Sequence, residues 1–156
     1  MNREKMVFKA LKWLFTFFVV GIGISIVGTA FMFIALRFIN VESLGVTATE
    51  MGFVDSPIFL GLLIINLVLI GLLFYYVRTF FKNLELDQIF VIRNVKMAKK
   101  ISLLLLILTF TNGLPDLFKE AYTLELTYSL AAAIIWALSK ILEKANMIAE
   151  ENQLTI

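Results

Sequence analysis

The stretch from Trp13 to Leu36, WLFTFFVVGIGISIVGTAFMFIAL, contains no charged residue. A helix that crosses the roughly 30 Å hydrocarbon layer needs about 20 predominantly apolar residues, because each residue rises about 1.5 Å. The stretch therefore predicts a membrane span. Arg3, Lys5, Lys9 and Lys12 stand before it, as bases stand before a cleavable signal peptide. Its apolar run is longer than a signal-peptide core, however, and Gly28-Thr29-Ala30 leads straight into Phe31-Met32-Phe33-Ile34 and not into a polar start. We read it as an uncleaved anchor.

Outward from this anchor, Ile58 to Val77 is also uncharged, with Pro57 where a proline suits a helix start. Ile101 to Leu114 and Leu126 to Ser139 are each uncharged for only about 14 residues, a length that also fits buried or re-entrant segments. Their flanks lengthen them. Lys99 and Lys100 can snorkel at one end of the third segment and Phe118 extends its other end, while Leu124, Ile141 and Leu142 extend the fourth. Spans at about 13–36, 58–77, 101–118 and 124–142 make residues 1–156 a single transmembrane domain, an all-α integral membrane four-helix bundle. Composition agrees: 60% of the residues are hydrophobic and 17% charged, against roughly 45–50% and 25% in soluble domains.

The basic residues set the expected orientation. Four precede the first span, six lie between the second and third (Arg78, Lys82, Arg93, Lys96, Lys99, Lys100) and two follow the fourth (Lys140, Lys144). Arg37 and Lys119 stand alone in the other two loops. By the positive-inside rule both termini and the central loop are cytoplasmic in a multi-pass protein. Dropping either short span would put the C-terminal bases on the wrong side.

Chemistry is sparse. With no His and no Cys there is no imidazole base, thiolate nucleophile, disulfide or His/Cys zinc site, so no enzymatic activity and no cofactor are expected. No Asp, Glu, Lys or Arg lies in the uncharged cores, where a transporter or pump would need one. A net charge of +2 does not argue for direct contact with nucleic acid. Asn66 and Asn112 are expected to be interhelical hydrogen-bond partners. Asp116, Glu120 and Glu125 form an acidic group at the outer interface that fits a solvated loop or, less well, a hard-cation site.

Small residues recur every fourth position, as Gly21, Ser25 and Thr29 and as Ser129, Ala133 and Ala137. Such rows allow close helix approach, either inside one bundle or at the seam of a homo-oligomer. Beyond span two, Val77, Phe80, Phe81 and Leu84 continue an apolar stripe, so that helix is expected to run on past the membrane. Beyond span four, residues 141–156 read as an amphipathic cytoplasmic tail, with Ile141, Leu142, Ala145, Ile148 and Ala149 on one face and Glu143, Asn146 and Glu150 on the other. With the basic segment Val95 to Lys100, these short helical extensions predict a small cytoplasmic lobe. Its bases also suit contact with the anionic lipid of the bilayer.

Two stretches carry a family resemblance. Asn83-Leu84-Glu85-Leu86-Asp87-Gln88-Ile89-Phe90-Val91-Ile92-Arg93-Asn94-Val95 resembles the Asn-Leu, turn, Ile/Pro-Phe, Asn-Val pattern between the second and third spans of a bacterial family of small integral membrane proteins catalogued as domain of unknown function 2975. The ending Glu150-Glu151-Asn152-Gln153-Leu154-Thr155-Ile156 is similar to that family's Glu-Glu-Asn-x-Leu-Thr-Ile. Span plan, loop order and total length agree, so the resemblance covers essentially the whole chain. It departs at Arg93, where acidic residues are common, and at Asp87, where Gly is common. Asp takes a tight turn less freely than Gly, so a different local backbone is expected there.

The family's molecular activity is not established, but its members are often accompanied by a small helix-turn-helix regulator. The resemblance thus implies a bacterial cell-membrane protein that holds or releases a cytoplasmic transcription factor. In that role Phe90 is an apolar anchor, Asn94 caps the helix entering span three, Glu150, Glu151 and Asn152 supply acceptors, and Asn83 is a further candidate partner-binding or lobe-bracing residue. Alternatively Phe90 and the tail brace the lobe, with Leu154 and Ile156 packed on Phe90 and the Asp87–Gln88 turn. Two further classes stay open: an immunity protein against a membrane-active peptide, acting through the outer loop Arg37 to Pro57, and a small transporter subunit.

Overall fold

A computed structural model describes residues 3–36, 38, 56–119 and 122–153. Residues 39–55, Glu120, Leu154 and Ile156 lie outside the described residues, and with them most of the outer loop, part of the acidic group and the end of the tail. The described fold is all-α, with four long apolar helices: α1 (Arg3–Leu36), α2 (Pro57–Glu85), α3 (Ile92–Thr111) and α4 (Leu126–Gln153). Each is long and apolar enough to cross a membrane, α3 together with the short 3-10 helix Leu114–Lys119 that follows it. The chain is a multi-pass membrane protein.

The helices pack in chain order, α1 on α2, α2 on α3 and α3 on α4, while the remaining helix pairs barely meet. The α1–α2 seam is aromatic: Phe15 stacks on Phe81 at 5.7 Å between ring centroids, and Phe18 lies 5.2 Å from Phe74. Such ring pairs contribute about 0.5–1.5 kcal/mol beyond the area they bury. Arg78 Nε donates to Thr16 Oγ1 at 2.8 Å, and Lys12 pairs with Glu85 at 2.6 Å. Between α2, α3 and α4 sits the core of Leu73, Ile101, Leu105, Leu108 and Ala132. Asn66 Nδ2 donates across it to the Thr111 carbonyl at 2.8 Å, the interhelical bond expected of it.

At the α3–α4 seam the buried residues of α4 are Ala132, Ser139 and Asn146, spaced seven apart. This heptad spacing keeps one narrow edge against the neighbour, and its small side chains bring the backbones close enough for Ser102 Oγ to donate to the Ala132 carbonyl at 2.8 Å. The seam corrects two sequence expectations. Ala133 and Ala137 of the predicted small-residue row are exposed, as is Ser25 of the row on α1, where Gly21 has open space beside it, so these positions do not pack inside the bundle. In the tail, the predicted apolar face turns outward at Ile141 and Ile148, and Asn146 from the predicted polar face is buried. Small heptad positions decide the packing because lipid accepts the bulkier apolar face without loss.

Two other expectations change at the outer end. The third span is α-helical only to Thr111 and carries on past Phe118 as the 3-10 helix Leu114–Lys119. Asn112 ends the helix without, among the described residues, an interhelical bond of the kind Asn66 makes, and Pro115, which lacks an N–H and disfavours α geometry in its predecessor, follows within three residues. Gly113 is required there, since any side chain would collide with the Thr123 carbonyl oxygen. The continuation of α2 to Glu85 follows the predicted stripe.

Candidate functional site

All four helices send charged segments to one end of the molecule. At that end α2 closes in a Schellman arrangement: Gln88 N donates to the Asn83 carbonyl at 3.0 Å and Asp87 N to the Leu84 carbonyl at 3.1 Å. This geometry needs a left-handed residue after the helix cap, a position that Gly usually fills. Asp87 fills it with φ of 59°. Asp is among the few other residues that tolerate this region. Lys5 of α1 pairs with the Asp87 carboxylate, which ties the first helix to the turn.

Beneath the turn lies a buried pair of amides. Asn83 Nδ2 donates to Asn94 Oδ1 at 2.7 Å, and Asn94 Nδ2 donates to the carbonyls of Gln88 at 2.6 Å and Ile89 at 3.0 Å. Asn83 is 3% exposed and Asn94 only 1%. The sequence singled out both residues, but Asn94 is not the cap expected of it. Val91 is the N-cap of α3, with φ −130° and ψ 139° and no side-chain cap. Asn94 lies inside the first turn, and its amide donates backward to loop carbonyls where a cap would accept from helix N–H groups.

The result is a pinned loop that displays apolar side chains. Leu86, Ile89, Phe90 and Ile92 are all exposed, Phe90 at 59%. Leu154 and Ile156, the residues expected to brace the lobe by packing on Phe90, lie outside the described residues. Glu85 lies eight residues past Val77, the last residue of the uncharged run. At about 1.5 Å per residue the loop stands about 12 Å past the end of that uncharged run.

The tail runs alongside. Ile92 and Val95 of α3 and Glu143, Asn146, Met147 and Glu150 of α4 line a cleft of about 230 Å³. Lys99 pairs with Glu143 at 2.8 Å across it, and Lys140 reaches the same carboxylate at 3.1 Å. Glu150 and Glu151 are exposed, Asn152 belongs to the last turn of α4, and Leu154 and Ile156 lie outside the described residues. Asn146, which sequence reasoning placed on the solvent face, is 6% exposed, and neither of its amide atoms has a hydrogen-bond partner among the described residues. The signal that could have found it is the seven-residue spacing from Ala132 and Ser139. Among the described residues no three carboxylates converge to hold a metal ion, so what this end offers is apolar surface, hydrogen-bond acceptors and charge. No family model, curated protein or solved structure matches the chain.

Proposed function

We propose that this chain is a membrane-embedded regulator, without catalytic activity of its own, that holds a cytoplasmic helix-turn-helix transcription factor at the loop between α2 and α3. The observation that carries the reading is the pinned display of Leu86, Ile89, Phe90 and Ile92 beyond the membrane-crossing part of the helices. Exposed apolar patches on an ordered surface mark interaction sites, and ordering a loop in advance lowers the entropy lost on binding. The buried Asn83–Asn94 pair supplies that order.

Charge limits how the partner sits. Twelve of the fourteen bases share this end with six acids, so the surface repels the basic, DNA-reading face of such a regulator. The partner therefore docks through an apolar patch on Phe90 and Ile89, with Glu150 and Glu151 reaching its flanking bases. Orientation with both termini in the cytoplasm of a bacterial cell belongs to the same proposal, supported by the positive-inside rule, as does the resemblance to the family of unknown function.

The test is co-expression with the helix-turn-helix protein of a neighbouring gene, with a photo-crosslinking residue in place of Phe90. Crosslinking to that protein, abolished by Ile89→Ser and unaffected by Leu126→Ser on the distant outer end, is the expected result. Crosslinks to lipid alone would remove the loop from the mechanism.

A further inference from the structure

Bases at the charged end divide into two kinds. Lys5, Lys12, Lys99 and Lys140 each pair with an Asp or Glu carboxylate. Arg93, Lys96 and Lys100 do not pair with any carboxylate among the described residues, although they lie close together. Their spacing of three and four along α3 puts them on one face. With Tyr75, Tyr76, Thr79 and Met97 they line a pocket of about 290 Å³ between α2 and α3. No acidic residue lines it. Lys100 Nζ sits 5.0 Å above the Tyr76 ring centroid and 3.4 Å from its hydroxyl.

Three cations around one concavity repel each other, and they raise the local concentration of any anion small enough to enter. A planar guanidinium offers paired donors that match phosphate oxygens, and ammonium groups act as mobile point charges beside it. The depth of the pocket narrows the source of the anion. Tyr75 and Tyr76 come immediately before Val77, where the uncharged run of α2 ends, and Lys100 comes immediately before Ile101, where that of α3 begins. Tyrosine at the end of a span marks the headgroup layer. Both walls thus pass from apolar to polar at the pocket, which is the level at which a bilayer presents its phosphates. Basic pockets between spans at this depth suit anionic headgroups.

We propose that the pocket of Arg93, Lys96, Lys100, Tyr75 and Tyr76 is a specific site for the phosphate of an anionic phospholipid headgroup. Arg93 and Lys96 hold its oxygens, Lys100 is kept in place by the Tyr76 ring, and the acyl chains extend along the apolar flank of α2. The site does not rest on the partner reading above, which concerns the loop below it.

The test is lipid binding by the purified full chain in a neutral detergent, read by native mass spectrometry with phosphatidylglycerol or phosphatidylcholine of matched chains. The variant is Arg93→Gln/Lys96→Gln/Lys100→Gln. Its control, Lys9→Gln/Lys82→Gln/Lys144→Gln, removes the same charge from the same end. The pocket variant is expected to lose phosphatidylglycerol affinity by about one to two orders of magnitude, near-surface bases contributing roughly fivefold each, while the control and all phosphatidylcholine binding stay within about threefold. Lys96→Gln alone, at an exposed position that folding does not need, is expected to lose roughly fivefold and serves if the triple variant does not fold. Equal losses in the pocket and control variants would overturn the site in favour of diffuse attraction. Displacement of phosphatidylglycerol by inorganic phosphate at equal concentration would keep the phosphate chemistry but overturn the lipid as its source.

Discussion

Replacing Asn94 with Ala should loosen the loop more than it loosens the bundle. The substitution removes the acceptor of Asn83 Nδ2 and the donor to the Gln88 and Ile89 carbonyls. The two carbonyls belong to exposed residues and can turn to water, so each lost bond there is worth about 0.5–1.5 kcal/mol. Asn83 is buried, and its amide keeps only the weak sulfur acceptor Met97 Sδ at 3.8 Å, which leaves it a penalty of about 1–3 kcal/mol. The expected total is about 2–6 kcal/mol, of which about 1–3 kcal/mol falls on the loop carbonyls. Hydrogen exchange at the Gln88 amide, which bonds the Asn83 carbonyl, reads the local part. A loss of about 2 kcal/mol accelerates it roughly thirtyfold. Unfolding in mixed detergent micelles reads the global part. Asn94→Asp is the companion variant: it keeps the acceptor for Asn83 but sets a carboxylate against two carbonyl oxygens, and should be no milder at neutral pH. Exchange at Gln88 within about threefold of the unaltered protein in both variants would refute the claim that the amide pair orders the loop.

Two further outcomes follow from the same geometry. Impermeant thiol reagents applied to intact cells should label Gly45→Cys and not Gln88→Cys, because twelve of the fourteen bases lie on the Gln88 side; the reverse pattern would invert the orientation. Asn146→Leu should stabilise the protein by about 1–3 kcal/mol in detergent unfolding, since it removes a buried amide with no partner among the described residues at nearly constant volume. Destabilisation would mean that something outside the described residues satisfies that amide.

The spans were legible because length without charge is a one-dimensional property: Trp13 to Leu36 and Ile58 to Val77 need no partner to be recognised. The extension of α2 was legible for a similar reason, its Val77, Phe80, Phe81 and Leu84 stripe keeping helical period past the last uncharged residue. Asn83, Phe90 and Asn94 stood out through a resemblance. Their roles did not, since Asn83 and Asn94 meet only once the chain has reversed between them, through a turn whose left-handed residue is Asp87.

Which face of each helix packs was the least legible feature, and the bilayer supplies the reason. In water, apolar period points to the core because the alternative is exposure; in lipid, Ile141 or Trp136 is as well placed outside as in. The buried side chains show the consequence, with Asn66, Thr79, Asn83, Asn94, Ser102, Thr109, Ser139 and Asn146 equal in number to the buried apolar ones. Asn66, Ser102, Asn83 and Asn94 reach across to another segment, while Thr79, Thr109 and Ser139 donate to carbonyls of their own helix and Asn146 has no hydrogen-bond partner among the described residues; small side chains are kept where backbones come closest. Asn66 reaching Thr111, Ser102 reaching Ala132 and Asn83 reaching Asn94 trace the α2–α3 and α3–α4 seams more faithfully than any apolar stripe. A four-residue row of small side chains is therefore insufficient evidence of a seam within the bundle: Ala133 and Ala137 satisfy the spacing but stay exposed, and it is Ala132, Ser139 and Asn146, on the seven-residue row, that turn inward.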